Sequence, residues 1–175
     1  LHRLIRRQRQ MCIRDRDHDD LLQIQLDRHA KQVEANPNYA DLRYRYGILL
    51  RAEGRLAEAA EQFARAVEIN PSYVTAIIKL GITQYELGRT DLAIEMFKRA
   101  LKIKDEYVDL HYRLALLYTD RRQFAKAVEH MERAAHLAPG NRQIRAALAL
   151  SLQNMGLIDR AAATWRSLSQ MNASV

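Results

Sequence analysis

The chain has 175 residues, 48% of them hydrophobic, with only 6 glycines and 3 prolines; this composition excludes a disordered chain and an all-β chain of many turns, and favours helices. No apolar run approaches the roughly 18–20 residues that a transmembrane helix requires. The formal net charge of +7 points to a polyanion-binding protein only if it is spread over the folded part of the chain.

It is not. Residues 1–16 read LHRLIRRQRQMCIRDR. From Arg6 to Arg16 this word is, in order, what a common transposase-based sequencing-library adapter encodes, and the segment resembles translated adapter. A natural basic arm for nucleic acid or membrane is the competing reading; it explains the charge but not the order of the residues. Segments of this kind are set aside from fold reasoning. Arg3, Arg6, Arg7, Arg9, Arg14 and Arg16 against Asp15 give it +5, which leaves +2 for the rest. Near-neutrality removes most of the case for nucleic acid. Cys12, the only cysteine, goes with the segment, so no disulfide, thiolate nucleophile or cysteine metal ligand is expected. On this reading Asp17 is the first genuine residue, and the natural N-terminus lies upstream of the sequence.

Residues 17–39 look like the second helix of a truncated helical hairpin. Leu22, Leu26, Ala30 and Val33 would form its buried stripe. Asn36-Pro37-Asn38-Tyr39 then closes it as Asn70-Pro71-Ser72-Tyr73 closes a later one. Asp17-His18-Asp19-Asp20 has the composition of a metal cluster. The preferred reading is an acidic helix start, where carboxylates complement the macrodipole.

From residue 40 the chain repeats itself. A 34-residue step links Gly47, Gly81, Ala115 and Ala149; Ala59, Ala93, Ala127 and Ala161; Phe63, Phe97, Met131 and Trp165; and Tyr46, Leu80, Leu114 and Leu148. The units are 40–73, 74–107, 108–141 and 142–175, with no insertion or deletion. Each reads as two helices. In the second unit Ala76, Leu80, Thr83 and Leu87 fall at helical spacing. Gly88 stops that helix, as Gly54 and Gly156 stop theirs, with Arg122 the exception. Asp91 is expected to open the next helix with Thr90 as N-cap, and Ala93, Met96, Phe97, Ala100 and Leu101 form its apolar stripe. Proline ends the second helix at Pro71 and Pro139. Small residues such as Gly81 and Ala93 belong where two antiparallel helices approach most closely; the aromatic four residues after the alanine fills the wider gap. Trp165 is read as packing in that aromatic column, and His130 and His136 as surface histidines.

Leu80-Gly81, Ala93, Phe97 and Ala100, with Gly47, Ala59, Phe63, Ala66 and Pro71 and with Leu114, Tyr118, Ala127, Ala134 and Pro139, follow the pattern W-x₂-L-G-x₂-Y…A-x₃-F…P at period 34. Residues 40–175 therefore resemble a tetratricopeptide repeat protein. The fourth unit departs most, with Leu168 and Ala173 where Ala and Pro are usual; Asp105 replaces Pro, and Gln84 and Arg145 stand where aromatics are typical. The resemblance implies an all-α solenoid of antiparallel helical hairpins, a right-handed superhelix whose first helices line a concave groove. By that resemblance the groove columns are Arg45, Lys79 and Arg113; Tyr44, Ile78 and Tyr112; Asp41, Thr75, Asp109 and Gln143; and Ile48, Ile82, Leu116 and Leu150. They form a positive stripe flanked by tyrosines, suited to a peptide with acidic and apolar side chains. The competing reading is a solvated face whose arginines pair with Asp41 and Asp109. The chaperone-carboxylate clamp of some family members is not indicated, because Tyr44 and Ile48 occupy two of its positions.

Catalytic chemistry has no visible carrier: the chain holds no Gly-rich phosphate loop, HExxH, GxSxG or EF-hand word. The expected function is a non-catalytic scaffold or adaptor that holds a protein or peptide, with no cofactor, small-molecule substrate or membrane partner. A substrate-recruiting region of a larger enzyme, for example a glycosyltransferase, is one alternative. RNA binding by the basic stripe is a weaker one. Val175 coincides with the end of a repeat and no polar capping element follows, so further chain, a partner or a second copy is expected to cover the last hairpin. A cysteine-free chain fits the cytoplasm, which is favoured, and also the periplasm.

Overall fold

A computed structural model describes residues 21–173. The adapter-like segment 1–16 and Asp17-His18-Asp19-Asp20 lie outside the described residues. Helix α1 covers 21–35 of these, followed by α2 (Ala40–Ala52), α3 (Leu56–Ile69), α4 (Val74–Glu86), α5 (Thr90–Ile103), α6 (Val108–Asp120), α7 (Phe124–Leu137), α8 (Arg142–Asn154) and α9 (Ile158–Ala173). No strand occurs among the described residues, and no helix there is long and apolar enough to cross a membrane. First helices start at 40, 74, 108 and 142, and second helices at 56, 90, 124 and 158; both series keep the 34-residue step. The chain divides into two compact units, Leu1–Ala93 and Ile94–Val175.

The same local chemistry ends every first helix. Gly54, Gly88 and Gly156 adopt φ of 79°, 75° and 83°, and Arg122 adopts 56°. In each case the left-handed residue donates to the carbonyl three residues back, and the next residue donates to the carbonyl five back, as Gly54 does to Arg51 (3.1 Å) and Arg55 to Leu50 (2.9 Å). This is the Schellman arrangement, which satisfies carbonyls that the helix leaves unpaired. Arg122 donates to the Thr119 carbonyl (2.9 Å) and Gln123 to that of Tyr118 (2.8 Å), so the same two bonds form at a backbone cost of roughly 1 kcal/mol that glycine avoids. Helix α5 starts one residue earlier than expected: Thr90 is its first helical residue, not its cap. Arg55 and Gln123, which precede α3 and α7, make no side-chain capping bond either.

Three of the four turns between hairpins are built on proline, and the turn before α6 has Asp105 in its place. The N–H of Tyr39, Tyr73 and Asn141 donates to the carbonyl of Asn36, Asn70 and Ala138 at 3.2, 3.0 and 3.0 Å, and proline occupies the position where its fixed φ suits the turn. A side chain in the first helix then reaches back to the turn. Arg43 Nε donates to the Pro37 carbonyl (2.7 Å) and Nη1 to Gln62 in α3 (3.0 Å). Arg145 Nη2 donates to the Pro139 carbonyl (2.8 Å) and Nη1 to Ser167 in α9 (2.6 Å). Arg145, standing where an aromatic is typical, thus braces a turn and a hairpin together.

In the first unit α2 packs on α3 and α3 on α4. Phe63, Ala59 and Ala66 are fully buried, and burying the Phe63 ring contributes about 2–3 kcal/mol. The ring lies directly over Gly47, where an added Cβ would stand 2.7 Å from it. Leu26 and Val33 of α1 are buried, with Leu22 and Ala30 half-buried. In the second unit α6 packs on α7, α7 on α8 and α8 on α9. Ala115, Met131, Ala134 and Ile144 form one core cluster, and Val128, Leu152 and Ala161 another. Trp165 breaks the packing expected of its column: it is 38% exposed, whereas Phe63 and Met131 are buried. The indole is also larger than either.

Candidate protein-binding surface

The first helices carry the candidate side chains, and each unit has its own set. On α2, Asp41 sits in the first turn, where a carboxylate complements the helix dipole. One helical turn later Arg45 Nε donates to Asp41 Oδ2 at 2.8 Å, with side chains 64% and 40% exposed. Asp41 Oδ1 also accepts from Tyr73 Oη at 3.1 Å. Burial first, and the Asp41 carboxylate second, push the Tyr73 phenol above its ordinary pKa. Tyr44 is half-buried rather than free, its ring packed against Phe63 and Tyr73 at centroid distances of 5.9 and 5.3 Å. Ile48 on α2 and Ile78, Lys79 and Ile82 on α4 are half-buried, and Thr75 is exposed.

The second unit repeats the theme on α6. Arg113 Nε donates to Asp109 Oδ2 at 2.7 Å. Tyr112 leans on the core cluster of Ala115, Met131 and Ile144, and Leu116 and Leu150 are exposed. Here the structure brings Asp109, Tyr112 and Gln143 to one open cleft of about 300 Å³, completed by Val108, Asn141 and Ile144. Its wall is apolar at Tyr112 and Ile144, with a carboxylate and two amides at the rim. Asn141 commits its carbonyl oxygen to the N–H groups of Gln143 and Ile144 (3.0 and 3.2 Å), capping α8. Its amide N–H groups are left to donate elsewhere.

Arg45 and Arg113 are therefore not bare cations; each is held by an aspartate of its own helix. Exposed i,i+4 pairs are worth about 0.3–0.5 kcal/mol. An incoming carboxylate can displace either aspartate at little cost.

Sequence reasoning missed two features. Tyr73 belongs to a recurring series, Tyr39, Tyr73 and Tyr107, and that recurrence was the available signal. His130 is not a surface histidine: it is half-buried, its Nδ1 lies 3.0 Å from Nδ1 of buried His111, and its ring stacks on Tyr118 at 5.6 Å and 7°. Its place on the helix, one residue before Met131, gave no warning, because the partner His111 sits on another helix. His136 is exposed. Among the described residues no three His, Cys, Asp or Glu side chains converge on a metal position.

Two models of the tetratricopeptide repeat match, over residues 50–103 and 78–142, and together they span 50–142, more than half of the chain. No curated protein matches the sequence. Among solved structures, MamA protein superposes with a TM-score of 0.79 at 21% identity, over 90% of this chain and 86% of that one. MamA 41-end from Desulfovibrio magneticus RS-1 gives 0.73 at 19% identity, over 87% and 86%. YrrB, a TPR protein with an unusual peptide-binding site, gives 0.72 at 24% identity, over 83% and 75%. At these identities the likeness is one of fold. Helical hairpins in a fixed step, the same Schellman end on each first helix and the two family matches lead to one assignment: the chain belongs to the tetratricopeptide repeat family and has its all-α helical-hairpin solenoid fold.

Proposed function

We propose that the protein is a non-catalytic interaction module that holds a peptide or protein segment, carrying acidic and apolar side chains, against its first helices. The observation that carries this is the recurring device on α2 and α6: an exposed arginine weakly held by its own aspartate, beside a tyrosine anchored in the core. Tyrosine and arginine are favoured anchors in protein contacts, and an arginine already ordered by a weak pair loses little freedom on binding. The α6–α8 cleft adds apolar wall and amide donors for an extended backbone. That YrrB, a TPR protein of similar fold, has a peptide-binding site supports a peptide or protein as the ligand.

Selection of displayed random peptides on the full chain tests the reading. Recovered sequences should be rich in Asp or Glu alternating with large apolar residues. The double substitution Arg45→Ala plus Arg113→Ala should weaken capture of the selected peptides by about tenfold and leave the melting temperature nearly unchanged. Equal capture by both proteins would remove the arginines from the site.

A further inference from the structure

The contact between His111 and His130 is used by nothing in the binding surface. His111 is 4% exposed. Its Nε2 faces the backbone carbonyl of Asp105 at 3.1 Å and the Asp105 carboxylate at 3.2 Å. Both oxygens only accept, so Nε2 carries a proton. Its Nδ1 then faces Nδ1 of His130 at 3.0 Å, and two facing nitrogens need one shared proton. In the neutral pair that proton belongs to His130 Nδ1, which donates. The pair ties α6 to α7 and, through Asp105, to the turn before α6. It occupies the place where Arg43 and Gln62 brace the first unit.

We propose that His111 and His130 form a proton-operated latch on the α6–α7 hairpin, closed when one proton lies between the rings and opened when acid puts a proton on both facing nitrogens. The first added proton goes to the outer nitrogen of His130 and keeps the bond. A proton on His111 Nδ1 as well sets two N–H bonds head to head.

The surroundings from every side bear on this. From α5, Lys98 opposes charging His130; from α6, His111 opposes it and Tyr118 covers the ring; from α7, Glu129 favours it; from the turn, Asp105 favours it. Lys126 Nζ lies over the Tyr118 ring, 5.4 Å from its centroid. Burial, the largest influence, with His111 and Lys98, holds the His130 pKa below its ordinary 6.5. The unfolded chain thus takes up the proton at higher pH than the folded one, so stability is full above that value and falls as pH drops through it. Burial pushes the Asp105 carboxyl up, but Arg133 (Nε to Oδ2, 2.8 Å) and His111 outweigh it and hold it below 3.8. Asp105 therefore stays ionised while His130 titrates.

The test uses the full chain and His130→Gln. The first unit carries glutamine at the corresponding position, Gln62, and an amide can donate to His111 without titrating. Between about pH 7.5 and about pH 5 the wild-type melting temperature should fall by several degrees, and that of the variant by less than half as much. Parallel curves would overturn the latch, and so would a wild-type fall during which imidazole nitrogen NMR shows His111 Nδ1 still without a proton. Should the variant fail to fold, imidazole nitrogen NMR of the wild type decides. His130 protonated on Nδ1 and His111 on Nε2 near pH 7.5 supports the latch, and the opposite tautomers overturn it.

Discussion

Gly47 is where a single hydrogen atom sets the spacing of two helices. The Phe63 ring is fully buried over it, so neither the ring nor the backbone has open space to move into. Gly47→Ala should cost about 1–3 kcal/mol by overpacking. Chemical denaturation of the two proteins measures this, and an unchanged midpoint would mean that the ring has somewhere to go. The third repeat answers the same constraint differently: Ala115 shares its core cluster with the more adaptable Met131. The residue type in the small column was legible in the sequence. Which large side chain its neighbour tolerates was not, because that depends on a gap of a few tenths of an ångström.

At the scale of the helix, the termini divide into those governed by local rules and those that are not. First helices end as glycine dictates, and Arg122 is pulled into the same left-handed geometry by the two bonds that the motif completes. Their starts lack side-chain caps at Tyr39, Tyr73 and Tyr107. Only α8, among the first helices, has one, from Asn141. Asn141→Ala should therefore destabilise α8 by about 1 kcal/mol and also strip an amide from the α6–α8 cleft. Thermal melts compared with Asn141→Asp, which keeps the capping oxygen, separate the two effects: a loss shared by both variants would show that the cap contributes nothing. The helices, their hairpin pairing and their apolar stripes were readable because period and residue type agree in several columns. The onset at Thr90 was misread because a capping residue type stood next to a boundary that tertiary packing set. The state of the candidate site was only half readable. Spacing shows that Asp41 and Arg45, or Asp109 and Arg113, are within reach of each other; it does not show that the pairs form. Nor does it show that Tyr73 shares Asp41, since that contact joins residues 32 positions apart.

For the chain as a whole, helix starts recur at one interval in both series, and each joint uses interchangeable parts. The turn that leads out of α3 (Asn70, Pro71, Tyr73) and the one that leads into α6 (Asp105, Tyr107) present a carbonyl at the same offset from the helix they precede. A chain lacking residues 74–107 should therefore remain helical and melt cooperatively, whereas removing 74–90 alone should abolish the cooperative transition; circular dichroism distinguishes the two outcomes. Equal behaviour of the two deletions would show that the interval has no mechanical meaning. Phase is thus something the gene itself can lose or gain in whole quanta. An accident of recombination that drops one complete period leaves every downstream side chain facing the way it faced before, so the length of this protein is free to drift in ways its register is not.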